Sequence, residues 1–111
     1  MITTHVLDTA IGLPAAGVTV ILEMRLHTGW SPIARGITQE NGRLDTLTAG
    51  REMAPGIYRL TFDIGAYHRG QGIHVPFFPE AKITFNVRDV TGHYHVPLLL
   101  SPFGYSTYRG A

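Results

Sequence analysis

The chain has no cysteine among its 111 residues. That excludes disulfides, thiol nucleophiles and cysteine-based metal sites, although it fixes no compartment. Lysine is nearly absent too: Lys82 stands alone, and the eight arginines run from Arg25 to Arg109 without forming a basic cluster. Eight acidic residues offset them to a formal net charge of +1. Nucleic acid binding calls for a basic stripe or patch, so no nucleic-acid partner is expected. No stretch approaches the roughly 18 apolar residues of a membrane span, so no membrane association is expected either. The opening Met1-Ile2-Thr3-Thr4-His5 has neither a charged n-region nor an apolar h-region. A secretory signal is therefore not expected, and a cytoplasmic location is the default. Internal repeats, low-complexity segments and linkers are also missing.

What is present is a folded chain of one domain, residues 1–111. The hydrophobic fraction of 44% against a charged fraction of 15% belongs to a chain with a core. A chain of this size buries roughly two-thirds of its unfolded surface, enough for a core but not a deep one, which leaves room for a second subunit to wall a sheltered pocket. Thirteen glycines and seven prolines leave little room for long helices. Between them the apolar residues alternate with period two, the pattern of half-buried strands. Val18, Val20, Leu22, Met24 and Leu26 fall on one face; Tyr58, Leu60, Phe62 and Ile64 repeat the pattern, as do Ile83, Phe85 and Val87. A fourth run sets Tyr94, Val96, Leu98 and Leu100 against His93, His95 and Leu99, with shorter strands near His5–Asp8 and Ser31–Thr38.

Turn signals at Thr28-Gly29, Asn41-Gly42, Pro55-Gly56, Thr91-Gly92 and Pro102-Phe103-Gly104 separate these runs. The spacing, with no βαβ rhythm, predicts an all-β, two-sheet antiparallel sandwich. The segment Arg43–Ala54 has some helical character, limited to one short turn. Pro97 donates no ladder hydrogen bond, so the last run is expected to lie at an edge or to bend there. Leu98-Leu99-Leu100 is apolar on both faces, which points to a second subunit against the outer one.

Six histidines are many for this length, and histidine is the side chain suited to acid–base work near neutrality. His27, His68 and His74 lie in polar or loop-like sequence and read as ordinary surface residues. His93 and His95 project to one side of a strand. Such a pair opens a metal site or supplies a general base with a neighbour; zinc wants three or four protein ligands, and no third has an evident claim. No metal and no cofactor is expected. Arg43, after the Asn41-Gly42 turn, reads alone as a solvated surface group, and His5 as a polar residue of an edge strand. The run Gly104–Ala111 concentrates phenols, hydroxyls and a guanidinium, and its tyrosines point to a packed segment.

Taken together, these residues resemble the 5-hydroxyisourate hydrolase branch of the transthyretin family. The resemblance is carried by Thr4-His5-Val6-Leu7-Asp8, Gly12-x-Pro14-Ala15, Asn41-Gly42-Arg43-Leu44, Gly56-x-Tyr58-Arg59-Leu60 and Phe77-Phe78-Pro79-Glu80. Its most specific block is His93 to Gly110, whose Tyr108-Arg109-Gly110 separates hydrolases from hormone-carrying transthyretins. It implies a prealbumin-like sandwich assembled as a homotetramer, a dimer of dimers with sites at the subunit interface. It implies hydrolysis of 5-hydroxyisourate to 2-oxo-4-hydroxy-4-carboxy-5-ureidoimidazoline in urate catabolism. By motif match, His5, Arg43 and His95 take catalytic positions, with either histidine as the base. Tyr108 takes a substrate-lining position, and Ser106, Arg109 and Gly110 match around it. The family usually follows Tyr-Arg-Gly with serine, whereas position 111 here is alanine. If that hydroxyl orients water or substrate, activity should be reduced; if only the terminal backbone and carboxylate are used, the change should be nearly silent. The alternatives are a transthyretin-like carrier without catalysis, whose channel would be mainly apolar, and a pocketless interaction domain, which would be monomeric.

Overall fold

The computed structural model describes residues 1–111. The three strongest period-two runs become strands of one sheet. They are β3 (Thr19–Leu26), β6 (Gly56–Phe62) and β7 (Ala81–Val87); β4 (Gly29–Ile37) completes it in the order β4-β3-β6-β7. All its pairings are antiparallel. Alternation predicts its inner face well: Val20, Leu22, Leu60 and Phe62 are fully buried. Each such side chain contributes roughly 1.5–3 kcal/mol of transfer free energy. The pattern runs out at the hairpin tip, where Leu26 is half exposed beside Thr28-Gly29.

The second sheet is built on β1 (Ile2–Asp8), which carries neighbours along both edges. Along one edge lie β2 (Leu13–Pro14) and β5 (Arg43–Leu44), both antiparallel to it. Along the other lie β8 (Tyr94–His95) and β9 (Leu98–Ser101), both parallel to it, with β10 (Gly104–Thr107) antiparallel outside β9. The expected bend at Pro97 is what separates β8 from β9. The parallel pairs depart from a purely antiparallel expectation. They arise because β1 meets a run some ninety positions later in the chain, and a connection of that length lets strands pair in either sense.

The helical element also lies elsewhere than expected. Arg43–Ala54 holds β5 and a turn, while the helix is α1, Ile64–Gly70. Asp63 starts it by accepting from the Ala66 amide at 3.1 Å, the N-cap interaction that satisfies a free first-turn donor. Ile64 therefore ends the strand pattern as a buried helical residue. Of the three histidines assigned to the surface, His27 and His74 are exposed, but His68 is 1% exposed on α1 with its Nε2 unpartnered. Seven residues are too few for helical periodicity to reveal which side faces the core. No helix is long and apolar enough to cross a membrane.

Candidate active site

Period two along β1 sends Ile2, Thr4 and Val6 into the core and Thr3 and His5 to the opposite face. Register does the rest. Arg43 stands opposite His5 across the β1–β5 pair, and His95 opposite Thr3 across the β1–β8 pair. Three strands distant in sequence thus deliver two imidazoles and a guanidinium to one face.

Each is held by local chemistry. His5 Nε2 lies 2.7 Å from the carbonyl oxygen of Asn41. A carbonyl only accepts, so Nε2 carries the hydrogen and a neutral ring leaves Nδ1 open. The turn providing that carbonyl needs glycine at position 42, where φ is +80° and a side chain would strike the Val6 carbonyl. Asn41 also steadies the residue two positions on, its Oδ1 accepting from the Arg43 amide at 2.9 Å. The Arg43 guanidinium makes neither a salt bridge nor a hydrogen bond within the chain: the charge is free for an anion.

His95 is the most constrained member. Its Nδ1 lies 2.7 Å from Thr3 Oγ1, which is also 2.9 Å from His93 Nε2. Its carbonyl accepts from the Gly110 amide at 2.8 Å. Burial, and then the nearby charges of Arg43, His93 and His5, hold its pKa below the ordinary histidine value; Asp45 pulls weakly the other way. A neutral imidazole at neutral pH is a proton acceptor. Thr3, Arg43, Asp45, His93, His95, Met1 and Ala111 line a cleft of about 340 Å³. Position 111 therefore reaches the site. No three histidine or carboxylate side chains converge as a metal-binding group.

The other expected residues divide. Gly110 packs directly on His95: a Cβ there would lie 2.5 Å from the ring's Cδ2. Gly110→Ala should displace the imidazole by about an ångström, lowering kcat by up to roughly 10²-fold with little change in Tm. Steady-state kinetics and a thermal melt check this. Tyr108 and Arg109 instead line a separate hollow of about 250 Å³ with Ile83, Phe85, Tyr94 and Val96. Arg109 sits 4.7 Å over the Tyr94 ring. Ser106 is exposed on β10 opposite Leu99. Within one chain none of these three shares the histidine cleft. Thr3 and Asp45, by contrast, line it although no motif marks them; strand spacing alone puts Thr3, two residues before His5, on the same face.

A larger hollow of about 470 Å³ lies on the second face, lined by Glu23, Arg35, Arg59, Thr61 and Lys82 among others. There Arg59 is already tied to Glu23 by bonds of 2.9 and 3.0 Å and lies 4.1 Å over the Trp30 ring. That hollow contains no group suited to proton transfer near neutrality.

Residues 2–110 match the HIUase/Transthyretin family, HIUase being 5-hydroxyisourate hydrolase. The chain belongs to this family. A 5-hydroxyisourate hydrolase of Halalkalibacterium halodurans is 45% identical over 115 residues, covering 99% of this chain and 97% of that one. One of Salmonella typhimurium is 42% identical over 111 residues, covering all of this chain and 81% of that one. Among solved structures, the Klebsiella pneumoniae 5-hydroxyisourate hydrolase aligns with a TM-score of 0.87 at 36% identity, covering 99% and 97% of the two chains. A transthyretin from Sparus aurata aligns with a TM-score of 0.91 at 34% identity, covering 98% and 95%. The HIUase/transthyretin sandwich is thus common to proteins of both names, so the backbone does not separate them.

Proposed function

We propose that this chain hydrolyses 5-hydroxyisourate to 2-oxo-4-hydroxy-4-carboxy-5-ureidoimidazoline, a step of urate catabolism. The observation that carries this reading is His95 lining one cleft with the unpaired Arg43, where burial and the nearby charge hold its pKa below the ordinary histidine value. The relatives named as 5-hydroxyisourate hydrolases supply the substrate. Water adds to a ring carbonyl as His95 Nε2 takes its proton, and Arg43 binds the developing oxyanion through its planar fork. Collapse of the adduct breaks the ring carbon–nitrogen bond. The nitrogen takes the proton back from His95, and the former carbonyl becomes a carboxyl group. His5, its Nε2 committed to Asn41, lies beside the cleft, where its charge acts on His95. No step needs a group beyond these side chains. A carrier would do better with an apolar channel than with this charged and protic one.

The same proposal keeps the protein as one cytoplasmic domain and a homotetramer. Tyr108 and Arg109 line a separate hollow of their own chain, Ser106 is exposed on β10, and Leu99 adds apolar surface on the outer face of β9. A neighbouring subunit would therefore wall the site. The decisive assay generates 5-hydroxyisourate in situ from urate and follows its ultraviolet absorbance. Decay should be much faster with the protein than without it, and light scattering should give a tetramer. Decay at the spontaneous rate would remove the hydrolase reading, and a monomer would remove the interfacial site.

A further inference from the structure

Thr3 joins two imidazoles through one hydroxyl. Its Oγ1 lies 2.7 Å from His95 Nδ1 and 2.9 Å from His93 Nε2, and Thr3 is only 4% exposed. A hydroxyl has one proton, so it donates to one of these nitrogens and must accept from the other. The two rings cannot choose their tautomers independently. If His95 carries its hydrogen on Nδ1, it donates to Thr3, Thr3 donates to His93 Nε2, and His95 Nε2 is left bare. If Thr3 donates to His95 instead, His93 Nε2 must carry a hydrogen. His95 Nε2 is then protonated and useless as a base. His95 Nε2 makes no hydrogen bond in the chain and is not buried, so it is the nitrogen open to the cleft.

We infer that Thr3 and His93 are positioning residues that hold His95 in the tautomer with hydrogen on Nδ1, leaving Nε2 as the proton acceptor. Thr3 is the fixed link, because β1 pairs it directly with His95 across the sheet. His93 is the terminal acceptor, exposed and 6.2 Å from His95 between ring centroids. Neither need touch the substrate. The coupling of the two tautomers rests on these contacts alone, and the choice of Nδ1 for the hydrogen rests on the proposed hydrolysis, which needs Nε2 bare.

Two measurements separate those parts. Nitrogen-15 imidazole spectra of the resting protein, without substrate, report which nitrogen of His95 bears hydrogen. The wild type should show hydrogen on Nδ1. His93→Phe removes the terminal acceptor at an exposed position, so Thr3 turns back onto His95 and the hydrogen should move to Nε2. Unchanged His95 spectra in His93→Phe would overturn the inference whether or not the protein hydrolyses anything. In kinetics, Thr3→Val should lower kcat about tenfold to a hundredfold, the range found when the hydrogen-bond partner that orients a metal-bound imidazole is removed. Thr3→Ser should restore most of it, with KM little changed throughout. The acid limb of the pH profile should also shift in Thr3→Val, since the other groups facing His95 stay in place: Arg43 and Asp45 from the β5 side, His5 from β1 and His93. Equal losses in Thr3→Ser and Thr3→Val would assign Thr3 to packing alone and sink the tautomer role. An inactive wild type with the expected spectra would remove the hydrolase reading and leave the coupling standing.

Discussion

His95→Asn is expected to lower kcat by about 10²–10⁴-fold, the usual contribution of a positioned general base. That is a loss of roughly 3–5 kcal/mol in transition-state stabilisation. Asparagine is close in size and keeps a polar group near Thr3 Oγ1, now 2.7 Å from the imidazole Nδ1. It cannot bind a proton near neutrality. The fold should survive, because the β1–β8 pairing and the 2.8 Å bond from the Gly110 amide use the backbone of residue 95. A thermal melt within a few degrees of wild type, alongside the kinetic loss, is the expected pair of results. Unchanged kcat would remove His95 as the base and pass that role to His5 Nδ1. The pH profile provides a second check. A base must be uncharged, and burial together with neighbouring positive groups lowers the pKa of His95. Activity should therefore persist as the pH falls through the ordinary histidine value of 6.5 and decline only below it. His95→Asn should abolish that limb.

The sheet β4-β3-β6-β7 was the legible part of the fold. Its strands bury one face, so Val20, Leu22, Leu60 and Phe62 write period two directly into the sequence. β1 was harder, because Thr3 and Thr4 are buried polar residues that interrupt the alternation, Thr4 by donating to the Val96 carbonyl at 2.6 Å. Its parallel partners could not be read at all, since nothing local in Ile2–Asp8 names a run about ninety residues away. α1 escaped for a different reason: its N-cap, Asp63, follows a strand whose apolar spacing continues smoothly into Ile64. The site shows the same division. His5 and Arg43 look like ordinary surface residues one by one and gain meaning from the family resemblance. What makes them neighbours is the register of β1 with β5, a long-range property. Thr3 was within reach, being two residues from His5 on a strand. The orientation of Tyr108 and Arg109 toward Phe85 and Tyr94 was not, because it depends on how the chain turns after Thr107.

Arg43→Gln should lower kcat/KM by about 10²–10³-fold, the cost of removing one oxyanion donor, and its signature differs from that of a lost base. Arg43 is exposed and has no salt-bridge partner, so its removal breaks no internal pair and should leave Tm nearly unchanged. Its charge is also the largest cause, after burial, of the lowered pKa of His95. Without that charge the imidazolium is less disfavoured, and the acid limb of the rate profile should move toward higher pH. Arg43→Lys separates the two functions. A lysine keeps the positive charge, so the limb should stay near its wild-type position, but it loses the bidentate fork, so kcat/KM should still fall. A limb that fails to move in Arg43→Gln would mean that Arg43 and His95 do not share one electrostatic site. The cleft would then be a surface feature and not the place where substrate is turned over.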